Sequence, residues 1–121
     1  MTATFHQFQA EQDAKNTIQL NVTKWTLMLC DALEQDAPPR YKFVIESGRK
    51  YHKIIQVIDD GPNRLGPSRS VHCFINRKTG EVYKPATWQA PAKHVRFDLR
   101  IIEQREQLLS SADWAGSYLY L

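Results

Sequence analysis

The first third of the chain has apolar residues at helical spacing. Between residues 7 and 35 they recur every three or four positions, at Ala14, Ile18, Val22, Trp25, Leu29 and Leu33. This spacing places them on one face of an α-helix. A strand pattern competes locally, because Ile18, Leu20 and Val22 alternate with polar residues, but the helical register continues to Leu33. The pattern predicts one long helix within residues 1–37, which ends before Pro38-Pro39.

After the prolines the period changes to two, which is typical of strands. Tyr41, Phe43 and Ile45 alternate with Lys42, Val44 and Glu46. Ser47-Gly48 supplies a turn, and residues 51–58 return as a second strand. This region is predicted to be a β-hairpin.

A second hairpin is predicted farther along the chain. Residues 70–76 alternate, Gly80 ends a turn where a positive φ is required, and residues 81–84 form the returning strand before Pro85. The segment between the hairpins, residues 59–70, contains two Gly-Pro pairs and is predicted to be an exposed loop, either functional or a mobile connector.

The C-terminal part predicts a helix and an apolar tail. Leu99, Ile102 and Leu109 fall at helical spacing within residues 97–110, and Asp98 lies near the expected start, where a carboxylate favours the helix dipole. Residues 113–121 are apolar and aromatic, so we expect them to dock on the sheet or on a partner.

These elements predict an α+β fold in a single domain, residues 1–121. Its expected core is a four-stranded antiparallel sheet made of two hairpins within residues 40–88, with the long N-terminal helix and the C-terminal helix packed on it. A chain of 121 residues has room for one such core.

Charge is distributed unevenly along this fold. The net charge is +3, but residues 40–100 hold thirteen lysines and arginines against five acids, a net of +8, whereas the flanking segments are net negative. A basic centre of this kind favours an anionic partner.

The sequence lacks the motifs that are typical of several classes of protein. There is no signal-peptide pattern and no apolar run of membrane-spanning length, so we expect no membrane association. Cys30 and Cys73 have no metal-ligand spacing and are interpreted as buried free thiols. His72 adjoins Cys73, but neighbours in a strand point to opposite faces, so the pair is not interpreted as a catalytic one. We expect no catalytic residues, metal or cofactor.

The candidate site combines cations with an aromatic ring at the rim of the sheet. Strand alternation puts Arg49 and Lys53 on the same side, and further basic residues follow the fourth strand. The predicted ligand-binding residues are Arg49, Lys53, Arg69, Lys84, Trp88, Lys93 and Arg96. Such a set suits phosphates and stacked bases. In the alternative interpretation the cations only solubilise the sheet and Trp88 covers the edge of the core.

One segment carries a family resemblance. "SRSVHCFINRKTGEVYKPATWQAPAKHVRFDL" and "ADWAGSYLYL" resemble a family of small tailed-bacteriophage proteins with a TGxVYKPAxWxAPAKxxRxxL-type segment. The similarity covers about residues 51–121. It implies a phage origin and a location in the host cytoplasm, or else in the virion. The family has no assigned activity, so the resemblance transfers no catalytic residues.

The sequence therefore predicts a non-enzymatic phage protein that binds nucleic acid or a nucleotide through the basic and aromatic rim. The alternative is a protein-interaction module that modulates a host protein, or a virion or assembly component. In this alternative, the apolar C-terminal tail or the rim aromatics anchor a partner or a second copy, which through the tail would form a homo-oligomer.

Overall fold

A computed structural model of the chain describes residues 4–59 and 68–120. The elements, in chain order, are α1 (Phe5–Asp36), β1 (Tyr41–Ser47), β2 (Tyr51–Ile58), β3 (Ser68–Asn76), β4 (Glu81–Tyr83), β5 (Phe97–Asp98), α2 (Ile102–Ser111) and a 3-10 turn (Ser117–Leu119). Most of the predicted loop between the hairpins, residues 60–67, lies outside the described residues.

The predicted long helix is confirmed as α1. It begins with a capping box, in which Thr4 and Gln7 each accept a hydrogen bond from the other's backbone N–H. Its buried residues are Val22, Thr26, Leu29, Cys30 and Leu33. No residue of α1 before Val22 is buried, and Ile18 is exposed despite its place in the apolar register. Only the second half of α1 therefore packs on the core.

The α+β fold with an antiparallel sheet is confirmed, and the strand order is β1-β2-β3-β4-β5. The fifth strand was not predicted. Phe97 and Asp98 pair with Val82 and Glu81 rather than starting the C-terminal helix, so α2 begins at Ile102. Phe97 is 3% exposed in the core, and a position beside β4 buries it more completely than the first turn of an exposed helix would.

The predicted turn glycine is also confirmed. Gly80 has φ 75°, and a Cβ added there would lie 3.3 Å from Leu99 Cβ and 3.4 Å from Val22 Cγ2. Both the left-handed backbone and this close approach favour glycine between the third and fourth strands.

The two faces of the sheet have different surroundings. One face, called here the covered face, packs against α1 and the C-terminal tail and includes Phe43, Ile54, Ile75 and Val82. The other is called here the open face. Cross-strand pairing places Glu46, Lys53, Phe74 and Tyr83 beside one another on it.

The C-terminal tail packs on the chain's own core. Tyr118 and Leu119 are buried, and the ring of Trp114 lies 4.8 Å from that of Tyr41. The backbone N–H of Trp114 donates a hydrogen bond to Asp36 at the end of α1. Tyr120 is 67% exposed.

A β-bulge changes the predicted placement of His72. Ile54 pairs with Cys73 and Ile55 pairs with Val71, so His72 is an extra residue in β3. The expectation that His72 and Cys73 point to opposite faces is therefore wrong. His72 is buried in edge contact with Phe43, at a centroid distance of 5.4 Å, and its Nε2 lies 2.7 Å from the hydroxyl of Tyr118.

Both cysteines are free and buried, as predicted. Burial raises the pKa of the Cys30 thiol to about 12, and burial also raises the pKa of Cys73. Thiols in this state are poor nucleophiles. Within residues 4–59 and 68–120, no helix has the length and apolar character needed to cross a membrane.

Candidate ligand-binding site on the open sheet face

Trp88 is held at the tip of a loop that folds back on itself. Pro85 and Pro91 form an isolated antiparallel bridge, and Ala92 N donates to Lys84 O at 2.8 Å. At the tip, Thr87 Oγ1 accepts hydrogen bonds from the backbone N–H groups of residues 89 and 90. These bonds fix the backbone on both sides of Trp88.

Two cations from the sheet contact the Trp88 ring. Lys53 Nζ lies 5.0 Å from the ring centroid, and Arg69 Cζ lies 5.8 Å from it. Both distances are within the range of a cation–π interaction. Trp88 is 42% exposed. The structure thus brings together three of the seven predicted residues, Lys53, Arg69 and Trp88, which are called here the Trp88 cluster.

Lys53 also connects this cluster to a row of aromatic rings. Its Nζ lies 5.6 Å from the Phe74 ring, so the ammonium group contacts both Phe74 and Trp88. Tyr51 contacts Phe74 and Tyr83 edge to face, at centroid distances of 5.7 and 6.2 Å. The row crosses β2, β3 and β4 on the open face.

Arg69 has a carboxylate partner. Its Nη2 donates a short hydrogen bond to Glu46 Oε2, and both side chains are about half exposed. An exposed ion pair of this kind contributes little to stability, because water solvates both partners. Exchange of Glu46 for another anion at Arg69 therefore costs little.

Arg49 joins the site through a neighbouring cleft of about 290 Å³. The cleft lies beside the turn between β1 and β2, and Lys53, Tyr51 and Gln89 also line it. Lys53 is therefore shared between the cleft and the Trp88 cluster.

The other predicted residues do not join this site. Lys84 Nζ lies 4.5 Å from the centroid of Tyr120, in a separate cleft of about 150 Å³ that His72 also lines. Lys93 is exposed on the connector. Arg96 is half-buried; its backbone N–H donates to Val82 O, and its Nε is buried with no hydrogen-bond partner among the described residues. The predicted single rim is thus divided into separate locations.

The sequence analysis missed Glu46 and Phe74 as parts of the site. Both lie on the open face because of their pairing with Lys53. Strand alternation alone puts Glu46 on the side opposite Ile45, but the cross-strand neighbour depends on register, which is set by the turn and by the bulge at His72.

His52, on the covered face, has both ring nitrogens in hydrogen bonds. Thr23 Oγ1 donates to Gln19 O, so it accepts from His52 Nε2 at 3.2 Å, and Ser47 Oγ lies 2.6 Å from Nδ1. Burial, and then the charge of Arg77, lower the pKa of His52 and favour its neutral form. Among residues 4–59 and 68–120, no group of three or more metal-ligating side chains comes together.

The charge of the molecule is separated between its two layers. Helix α1 carries five acids against two lysines, and α2 carries two acids against one arginine. The described residues between 40 and 100 hold twelve lysines and arginines against four acids. An anion therefore meets a favourable field on the sheet side and an unfavourable one on the helix side.

The sequence matches the family of unknown function DUF7717 over residues 5–121. The chain belongs to this family. The match spans α1, the sheet and the tail, so the three residues of the Trp88 cluster lie within the matched range. No curated protein and no solved structure matches the chain.

Proposed function

We propose that this DUF7717 protein binds a phosphate-bearing ligand, a nucleic acid or a nucleotide, at the Trp88 cluster without chemically changing it. The observation that supports this proposal is the placement of Lys53 and Arg69 against a half-exposed indole on a braced loop. Cations bind phosphate oxygens with charge-assisted hydrogen bonds, and an exposed indole stacks on a base.

The resemblance to tailed-bacteriophage proteins supplies the proposed setting. The protein would act in the cytoplasm of an infected host, where nucleic acids and signalling nucleotides are abundant, with the virion as the alternative location. In either place the polarised charge would steer the sheet side toward an anionic ligand.

Salt dependence of binding tests the proposed function. Affinity for a fluorescent polyanion should fall steeply between about 50 and about 200 mM salt, because each phosphate contact releases counterions. Lys53→Gln and Arg69→Gln should each weaken binding and reduce the slope of log affinity against log salt by about 0.7–0.9. Lys24→Gln removes an exposed charge from α1 and is the matched control, which should bind like wild type. Absence of polyanion binding at about 50 mM salt would rule the proposal out.

A second candidate function is a protein-interaction module, and the first half of α1 favours it. Phe5, Phe8 and Leu20 are 73%, 55% and 71% exposed there, on a segment with no buried residue. Exposed apolar side chains of this size are often interface anchors.

Oligomer formation distinguishes the two candidates. Because Tyr118 and Leu119 already lie in the core, a tail-mediated oligomer would depend on Tyr120, the exposed aromatic residue of the tail. Sedimentation at high salt should retain an apolar dimer and dissociate an electrostatic one. A monomer at all salt concentrations, with no host protein recovered by affinity capture, would contradict the interaction module.

A further inference from the structure

We infer that the ligand of the Trp88 cluster is single-stranded nucleic acid, rather than a duplex or a free nucleotide. This inference rests on the proposed function. Three features support it: the exposed Trp88 ring, the positions of the cations and the composition of the surface.

The exposed ring favours an unpaired base. Lys53 and Arg69 both contact the indole, and Trp88 nevertheless remains 42% exposed. A stacking partner must offer a free π-face, and the bases inside a duplex already stack on their neighbours. Unpaired bases in single strands are the ones that stack on aromatic side chains.

The spacing of the cations favours a polymer over a single nucleotide. Arg49 lies in the turn before β2, Lys53 lies within β2, and both line the cleft of about 290 Å³. Arg69 extends from β3 across β2, so its guanidinium contacts both the Trp88 ring and Glu46 on β1. A free nucleotide on Trp88 satisfies only Lys53 and Arg69, whereas a strand that continues along the cleft also reaches Arg49.

The composition of the surface favours binding with little sequence preference. The Trp88 ring and the adjoining cleft offer a nucleic-acid strand two kinds of contact. The cations bind phosphates, and the aromatic rings stack on the faces of bases. Every base has a π-face, and phosphate contacts carry no sequence information. We therefore expect the affinity to depend on strand length and salt more than on sequence.

Three probes test the inference with the full-length protein at about 50 mM salt: a ten-nucleotide thymidine oligomer, a hairpin duplex with the same number of phosphates, and thymidine monophosphate. The oligomer should bind at least about ten-fold more tightly than either of the others. It should also quench tryptophan fluorescence. Trp88→Phe separates the Trp88 signal from those of Trp25 and Trp114, and the oligomer-induced quenching should be lost in that variant.

Trp88→Ala should lower the oligomer affinity by roughly ten-fold or more, while Trp88→Phe, which keeps a stacking ring, should lower it less. The melting temperatures of both variants should stay close to that of wild type, because a stacking ring contributes to binding rather than to folding. Equal weakening by the two variants would contradict a stacking role.

The outcomes distinguish this inference from the proposed function. If the duplex binds as tightly as the oligomer, or the monophosphate does, the single-strand inference is wrong and the phosphate-binding function stands. If none of the three probes binds, both are wrong. Tight oligomer binding with unchanged Trp88 fluorescence would also overturn the inference, because the strand would lie elsewhere.

Discussion

The two faces of the sheet use the same strands for different purposes. Within β2, Ile54 packs into the core on the covered face, while Lys53 places its ammonium between two aromatic rings on the open face. On the covered face, burial keeps His52 and His72 neutral. On the open face the charged groups stay in contact with water. Alternation along one strand thus separates a structural surface from a candidate binding surface.

The open face also contains buried side chains. Ile55 and Phe74 both lie on that face, and they are 0% and 1% exposed. The Lys53 ammonium contacts both the Phe74 ring and the Trp88 ring, so the Trp88 loop lies near Phe74. The Trp88 ring itself remains 42% exposed.

The largest expected effect comes from truncating the covered face. Leu29→Ala should lower the free energy of unfolding by about 2–5 kcal/mol, because Leu29 is fully buried and the change leaves a cavity. Leu27→Ala lies on the same helix at a position 53% exposed, so as the matched control it should cost much less. Urea unfolding measures both. Similar losses from the two variants would contradict the described packing of α1.

The next effect is pH dependence arising at the covered face. Burial lowers the pKa of His72 from 6.5 to about 4, although the charge of Asp113 acts in the opposite direction. The unfolded chain therefore binds the proton first, and the stabilisation, complete above pH 6.5, is lost as the pH falls toward 4. The loss at pH 5 should be roughly 2 kcal/mol.

His72→Gln isolates the contribution of His72, because the pKa of His52 is lowered in both proteins and its effect cancels in the comparison. The variant should be less stable than wild type at pH 7, because the contact with Tyr118 changes, and the difference should shrink toward pH 5. Urea titrations at the two pH values provide the measurement. A difference that stays constant would mean that His72 is not buried in its neutral form.

The smallest expected effect tests the open face. Glu46→Gln should tighten polyanion binding several-fold, because it frees Arg69 and removes a negative charge from the site. Stability should change by about 1 kcal/mol or less, since both partners are half exposed. Binding titrations beside a melting curve give both quantities. Weaker binding by Glu46→Gln would indicate that the ion pair positions Arg69 instead of competing with the ligand.

Local patterns were sufficient to predict most elements of the fold. The helical spacing through Leu33, the prolines at 38 and 39 and the glycine at position 80 act over a few residues, so α1, both hairpins and the positive φ at Gly80 follow from sequence. Residue type alone was enough to propose Lys53, Arg69 and Trp88 as parts of the candidate site, because cations and an aromatic ring in a basic segment are typical of anion binding.

The remaining features depend on contacts between distant segments. β5 forms because Phe97 becomes buried beside β4. The bulge in β3 lets His72 contact Tyr118, which is 46 residues away in sequence. Lys84 contacts Tyr120 because the C-terminal tail folds back toward β4. Lys84 is therefore separated in space from Trp88, although the two are four residues apart in sequence.

The sequence by itself therefore determined the helix, the strand periods, the turns and the basic character of the central segment. Only the tertiary structure decided which cations share a surface, which histidine is buried and how much of Trp88 meets water. The physical reason is range: propensity, alternation and turn chemistry act between near neighbours, whereas register, bulges and loop return are fixed by burial and hydrogen bonds between segments far apart in the chain.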